Sequence, residues 1–304
     1  MAYVAYQNVR AFLSTADSQS LSTGTYNILY ATAFNASNTT QLKRIKRIGQ
    51  KLDYYIQTGP KSASISTTVI PVTGAGFNQF TGFLALTGDS TSGSYIQVPN
   101  YRFDKCFLKS FSFSVEPWKP IFVDMQFDSY GLATGNNLTS FQPETQETGI
   151  ISPLRDISID LIATGFYQDV TEYENLNFGV EVERLANFEI GNSYPTKVSV
   201  SKITKTLQIE GISNASWLSD YEPNNSIKAT ITMSDGNLFS VDGVLASQKV
   251  SIVNNNAVKV SIEIVEDMIM WPQIENSSTN IYYLTTSAGD SIVDSSSNQL
   301  IAII

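Results

Sequence analysis

A chain of 304 residues with no histidine and a single cysteine, Cys106, can form neither an internal disulfide nor a histidine-based catalytic triad. Its net charge of −9, from 19 basic and 28 acidic residues, opposes general binding to nucleic acid and leaves open only a surface past which nucleic acid slides without sticking. With 42% hydrophobic and 15% charged residues, the composition is globular rather than disordered, and the length accommodates two domains of roughly 150 residues each.

The first residues, MAYVAYQNVRAFL, lack the basic start and apolar core of a signal peptide. No run approaches the roughly 20 apolar residues of a membrane helix. A soluble protein made in a cytoplasm is expected, without a membrane anchor. The sequons at Asn35, Asn38, Asn137, Asn214 and Asn276 are then chance matches in a chain rich in Asn, Ser and Thr.

Alternation of apolar and polar residues dominates from here on and predicts strands. The first lies at 25–33. Residues 38–48 carry Leu42, Ile45 and Ile48 at helical spacing and predict a short helix. It runs into KRIKRIGQK, where Lys43, Arg44, Lys46, Arg47 and Lys51 form the one dense run of positive charge. A nucleic-acid contact of this kind lacks the usual interleaved aromatics. A solvated helix face is the plain alternative, and docking on an acidic patch of a neighbouring subunit is the reading favoured here.

A Ser- and Thr-rich strand is predicted at 63–72. The hairpin FLKSFSFSVEPWKPIFVDMQF follows at 107–127. Phe111, Phe113, Val115, Ile121, Val123, Met125 and Phe127 share one face; Ser112, Ser114, Asp124, Gln126 and Asp128 share the other. The two prolines of EPWKP place the turn between them. Residues 131–149, GLATGNNLTSFQPETQETG, are polar and lack periodicity, and predict a connector. Further strands are expected at 156–163, 198–209, 226–233 and 248–253, with a second short helix near 213–218. Trp271 and Pro272 mark the start of a C-terminal extension. Its last five residues include Leu300, Ile301 and Ile304, an apolar end that would aggregate if left exposed and is expected to add as a strand to this chain's sheet or a neighbour's.

The hairpin at 107–127 aligns without a gap to VLASQKVSIVNNNAVKVSIEI at 244–264. Leu108 meets Leu245, Ser110 meets Ser247, Ser114 meets Ser251 and Val123 meets Val260. The second copy turns at Asn254–Asn256, residues that tolerate left-handed backbone. Upstream, Ile65 and Val69 match Ile203 and Leu207 at a spacing of 138. Two collinear matches predict a duplicated domain. The expected division is a first domain at 1–131, a connector at 132–149, a second domain at 150–272 and an extension at 273–304.

Catalytic motifs fail on inspection. GDSTSG at 88–93 has one residue too many for a hydrolase elbow, and no histidine can serve as base. TGPKS at 58–62 has Pro60 where a phosphate-binding loop needs a backbone N–H. Alternating acids such as Asp124 and Asp128 suit a solvated strand face better than a glycosidase cleft. Asp290 and Asp294 lack the glycine and final glutamate of a calcium loop. No catalytic residue, metal site or cofactor is expected.

The stretches RIGQKLDYYIQTGPKSASISTTVIPV and FDKCFLKSFSFSVEPWKPIFVDMQFDSYG, behind an N-terminal strand, resemble the tail tube proteins of long-tailed bacteriophages. The likeness is fullest over 1–131 and fainter over 150–272, through YPTKVSVSKITKTLQIEG and the 244–264 hairpin. The resemblance implies a mainly β fold, two tandem β-sandwich or barrel-like domains with one or two short helices. It implies rings with a wide channel, built from six single domains or from three chains that carry the domain twice. A trimer of this chain would then close a pseudo-hexameric ring.

The function implied is structural. Stacked rings would form a conduit for double-stranded DNA in the virion tail, assembled in the cytoplasm of a bacterial host. Expected partners are the chain itself and other tail proteins: sheath or terminator, baseplate and tape measure. Lys43–Lys51 and the region of Tyr194 and Lys197 are expected to contact the next ring, and the segment after Trp271 a neighbour. The alternatives are a baseplate or distal tail ring protein that shares the tube domain, and a β-sandwich carbohydrate-binding module with Tyr54, Tyr55, Trp118, Trp217, Tyr282 and Tyr283 as its candidate aromatics.

Overall fold

The computed structural model describes residues 11–14, 26–29, 31–46, 48, 54–71, 94–98, 100–131, 133–136, 157–163, 166–170, 173–190, 192, 194–212, 226–233, 238–253, 257–269, 282–283 and 301–302. Residues 1–270 form one compact unit and 271–304 a second. The first unit is built of strands β1 (Ala11–Ser14), β2 (Tyr26–Leu29), β3 (Ala31–Ile45), β4 (Tyr54–Val69), β5 (Ser94–Val98), β6 (Asn100–Val115), β7 (Phe122–Ser129) and β8 (Ala133–Asn136). It continues with β9 (Ile157–Ala163), β10 (Phe166–Asp169), β11 (Asn175–Asn187), β12 (Lys197–Ile212), β13 (Ser226–Met233), β14 (Leu238–Val253) and β15 (Ala257–Ile269). These fifteen join in one antiparallel sheet, so the fold is mainly β. The second unit holds a ribbon of β16 (Tyr282–Tyr283) and β17 (Ile301–Ala302).

Strict alternation explains the strands. Along β7 the even positions face out, while Val123, Met125 and Phe127 are fully buried. Ile227, Ala229, Ile231 and Met233 do the same on β13, and Leu176, Phe178, Val180 and Val182 on β11. Burying such a side chain contributes roughly 1.5–3 kcal/mol. The core runs through both halves of the chain, and Phe239 joins them. Its ring lies 6.1 Å from Phe111, 5.1 Å from Phe113 and 5.3 Å from Phe178.

The helix expected at 38–48 is replaced by the second half of β3. Asn38, Thr39 and Thr40 are poor helix formers, and β4 offers them a complete ladder, with Asn38 opposite Ala63 and Thr39 opposite Ser62. Thr67 donates its hydroxyl to the Ala33 carbonyl at 3.1 Å and ties the two strands. The helical spacing of Leu42, Ile45 and Ile48 was therefore a coincidence of short range. Residues 213–218, where the second helix is expected, lie outside the described residues, as do Asn254–Asn256. Among the described residues there is no helix.

The strand order reads the same in both halves. In the first it is β2-β1-β5-β6-β7-β4-β3, and in the second β10-β9-β13-β14-β15-β12-β11. The registers agree as well. Leu108 sits opposite Phe127, and Leu245 opposite Ile264; a β-bulge follows directly in each, before Ser110 and before Ser247. Those residues are the ones aligned at a spacing of 137. The β3–β4 pair matches β11–β12: Ala36 faces Ile65 as Phe178 faces Leu207, and Asn38 faces Ala63 as Val180 faces Lys205. Here the spacing is 142, so Ile65 corresponds to Leu207 rather than Ile203. A slip of four residues along a strand preserves the face, and the apolar pattern alone does not detect it.

Candidate assembly edges and a polar sheet face

The two halves meet where β11 pairs with β6. Leu176 lies opposite Val115, Phe178 opposite Phe113, Val180 opposite Phe111 and Glu181 opposite Ser110. Apolar residues face apolar ones across this junction, and Phe113 and Phe178 pack with ring centroids 5.2 Å apart. Arg184 secures its end. The Nε–H donates to the Leu108 carbonyl at 3.2 Å, beside the bulge, and the guanidinium lies 5.5 Å from the Phe107 ring centroid. A groove of about 510 Å³ opens beside it, lined by Lys109, Asp128, Glu181, Glu183 and Arg184 among others.

The corresponding strands at the ends of the sheet have no such cover among the described residues. β3 pairs with β4 alone. β14 pairs with β13 through Leu238–Val244 and with β15 from Val244 onward, which leaves the other side of Ser247–Val253 without a described strand. Exposure follows. Phe113 on β6 is 2% exposed, while its counterpart Val250 on β14 is 62% exposed. Phe178 is buried, while its counterpart Ala36 is exposed.

The basic run lies at the end of β3. Lys43 and Arg44 extend the strand, opposite Ile56 and Tyr55; they and Lys46 are exposed, and Ile48 is fully exposed in the following turn. Arg47 and Lys51 lie outside the residues whose side chains are described. The matching tip of the second half runs through Phe188, Glu189 and Ile190, all exposed. The alternation of the chain did not single out this second tip, although Ile48-Gly49 and Ile190-Gly191 repeat at the spacing of 142.

Tyr194 is half-buried, with the Lys105 ammonium 5.3 Å from its ring, and Lys197 is half-buried at the first residue of β12. Both sit at the base of the second tip rather than at its end. In the second unit Ile301 pairs with Tyr283. Leu300 and Ile304 lie outside the described residues.

One face of the sheet is a continuous polar surface. Cross-strand registers carry a row from Ser66 through Gln126, Ser110, Glu181 and Thr204 to Asp267. A parallel row passes through Thr68, Asp124 and Ser112. Its carboxylates are held largely by hydroxyls. Thr68 donates to Asp124 Oδ1 at 2.5 Å and Thr204 to Asp267 Oδ1 at 2.7 Å. The Thr204 hydroxyl, helped by Lys202 at 3.1 Å, holds Asp267 below the usual carboxylate range. Asp124 and Asp128 occupy this open face.

Among the described residues no cluster of three or more acidic or cysteine side chains is arranged to hold a metal ion. No helix among them is long and apolar enough to cross a membrane. Cys106 is completely buried and its thiol donates to the Phe103 carbonyl at 3.3 Å. Burial pushes its pKa up to about 12, which keeps the nucleophilic thiolate from forming at neutral pH. Comparison with protein-family models and with curated proteins finds no match.

Proposed function

We propose that the chain is a structural ring-forming protein of a bacteriophage tail, whose rings stack into a tube that conducts double-stranded DNA. The observation that carries the reading is the repetition of one seven-strand order with matching registers, the two copies joined edge to edge through β11 and β6. A unit that joins its own copy this way, and presents the corresponding edges at both ends, is suited to a closed ring. Three chains would supply six equivalent positions.

The polar face fits a channel wall. Its rows are dominated by hydroxyls and carboxylates, the Lys202 ammonium is engaged by Asp267 at 3.1 Å, and the overall charge of −9 adds weak repulsion of phosphate. The exposed tips around Lys43, Arg44 and Lys46, and around Glu189, occupy equivalent positions in the two halves and suit contact with the next ring. Other tail proteins (sheath or terminator, baseplate, tape measure) would engage the ends and outside of the tube.

Negative-stain electron microscopy with mass measurement of the assembled protein tests this. Stacked rings of three chains are expected. Single rings that never stack would replace the tube with a baseplate or distal tail ring. A monomer that binds oligosaccharide tightly would overturn the ring reading altogether.

A further inference from the structure

The junction inside the chain specifies the junction between chains. We propose that β3 of one molecule pairs antiparallel with β14 of a second copy, in the register obtained by carrying the β11–β6 pairing onto its counterparts. The ring reading sets only the number of copies expected; the register itself rests on the internal ladder. Phe178 opposite Phe113 becomes Ala36 opposite Val250, since β3 lies 142 residues before β11 and β14 lies 137 after β6.

Three independent features agree with that alignment. First, both edges are open among the described strands, and extended edges pair readily with another chain. Second, residue types match along the ladder. Phe34 falls opposite Ile252 and Ala36 opposite Val250, whereas Asn35 falls opposite Ser251 and Thr39 opposite Ser247. A slip by one residue would set Asn35 against Ile252 or Val250 and Ala36 against Ser251 or Lys249. Third, the position held inside the chain by Arg184 and Phe107 becomes Leu42 and Val244. These are 58% and 44% exposed and lie just past the open edge, where Val244 still pairs with Ser226, so their side chains flank the end of the proposed ladder. The cation that clamps the internal junction is replaced by an apolar pair, so the junction between chains is closed by burial rather than by charge.

The test is disulfide trapping in the full-length protein. Cα atoms directly opposite on antiparallel strands lie about 4.5–5.5 Å apart, within disulfide reach. The double variant Ala36→Cys/Val250→Cys alters two exposed positions, and native Cys106 is buried and does not compete. Oxidation is expected to give covalent dimers and then trimers, reversed by reductant. Mixing the two single variants is expected to give dimers alone. The pair Ala36→Cys/Lys249→Cys, one residue out of register, should crosslink at least about tenfold less, because its side chains fall on opposite faces.

Rings seen by microscopy without the crosslink would overturn the register and leave the ring intact. Crosslinked trimers that never stack would support the register and remove the tube. A monomer that does not crosslink, or a crosslink that stays within one chain, would overturn the docking itself.

Discussion

At the tip of the β6–β7 hairpin a single residue works against its own backbone. Lys119 donates its N–H to the Glu116 carbonyl at 3.3 Å across Pro117 and Trp118, and Trp118 has φ of 67°. Proline followed by a positive φ is the pattern of a type II turn, whose second central position favours glycine. A bulky side chain there costs roughly 1–2 kcal/mol, and at 88% exposure Trp118 regains little by packing. Trp118→Gly is therefore expected to stabilise the isolated chain by about 1 kcal/mol, after the added entropy of glycine in the unfolded state. Urea denaturation reads this, and a lower midpoint would sink the idea. Cys106 gives a second expectation. Below its ordinary pKa of 9.0 the thiol is neutral in both states. Between there and about 12 the unfolded chain loses the proton and the folded chain keeps it. Stability should fall with rising pH in that window, by up to about 1.4 kcal/mol per pH unit. Comparing wild type with Cys106→Ala isolates the slope; equal alkaline slopes would show that the thiol ionises without unfolding.

Long strands that change partners set the terms at the next scale. β14 leaves β13 and takes up β15 around Gly243, where a Cβ would press on the Val265 carbonyl. The Asp242 N–H beside it donates to Glu266 at 2.8 Å, and Lys205 holds the same carboxylate at 3.0 Å. The first half makes the corresponding switch at Lys105, with φ of 52°, where the Ser129 hydroxyl donates to the Asp104 carbonyl at 2.7 Å. Gly243→Ala forces two backbones apart and is expected to cost about 2–3 kcal/mol, measured by thermal melting. An unchanged melting temperature would mean that the crossing relaxes freely. Much of this scale was legible in the sequence. The expected strand at 226–233 is β13 residue for residue, and the spacing of 137 places both hairpins in equivalent registers, bulge included. β11 is absent from the expected strands although Leu176, Phe178, Val180 and Val182 alternate without a break. The second half of β3 mimics a helix because its end carries apolar residues at helical spacing, while its real determinant, the ladder to β4, is non-local. The mismatched offset of β4 and β12 has the same origin: period two cannot tell a register from one four residues away.

For the whole molecule, the polar rows become informative once the halves are seen to form one sheet. In the sequence Asp124 and Glu181 are distant acids on unrelated strands. In the sheet they stand on adjacent rows, with Ser110 and Ser112 between the strands that carry them, and both side chains are exposed. If this face lines the channel, the engagement of its lysines by carboxylates, as Lys202 by Asp267 at 3.1 Å, is what lets DNA pass. Asp124→Lys/Glu181→Lys exchanges two negative charges for two positive ones per chain while leaving the buried face untouched. Rings and tubes should still form, since neither residue is in the apolar core. Assembled tubes of the variant are expected to retain short duplex DNA at low salt where the wild type does not. The retention should be salt-dependent, with the slope of log K against log salt steepening by roughly 0.9 for each phosphate neutralised. Duplex held equally by both proteins would place this face on the outside of the tube. Retention by unassembled variant chains as strong as by tubes would show that the lysines act as an ordinary basic patch. Retention that requires assembly, and that disappears when salt is raised, would identify the polar face as the surface DNA passes.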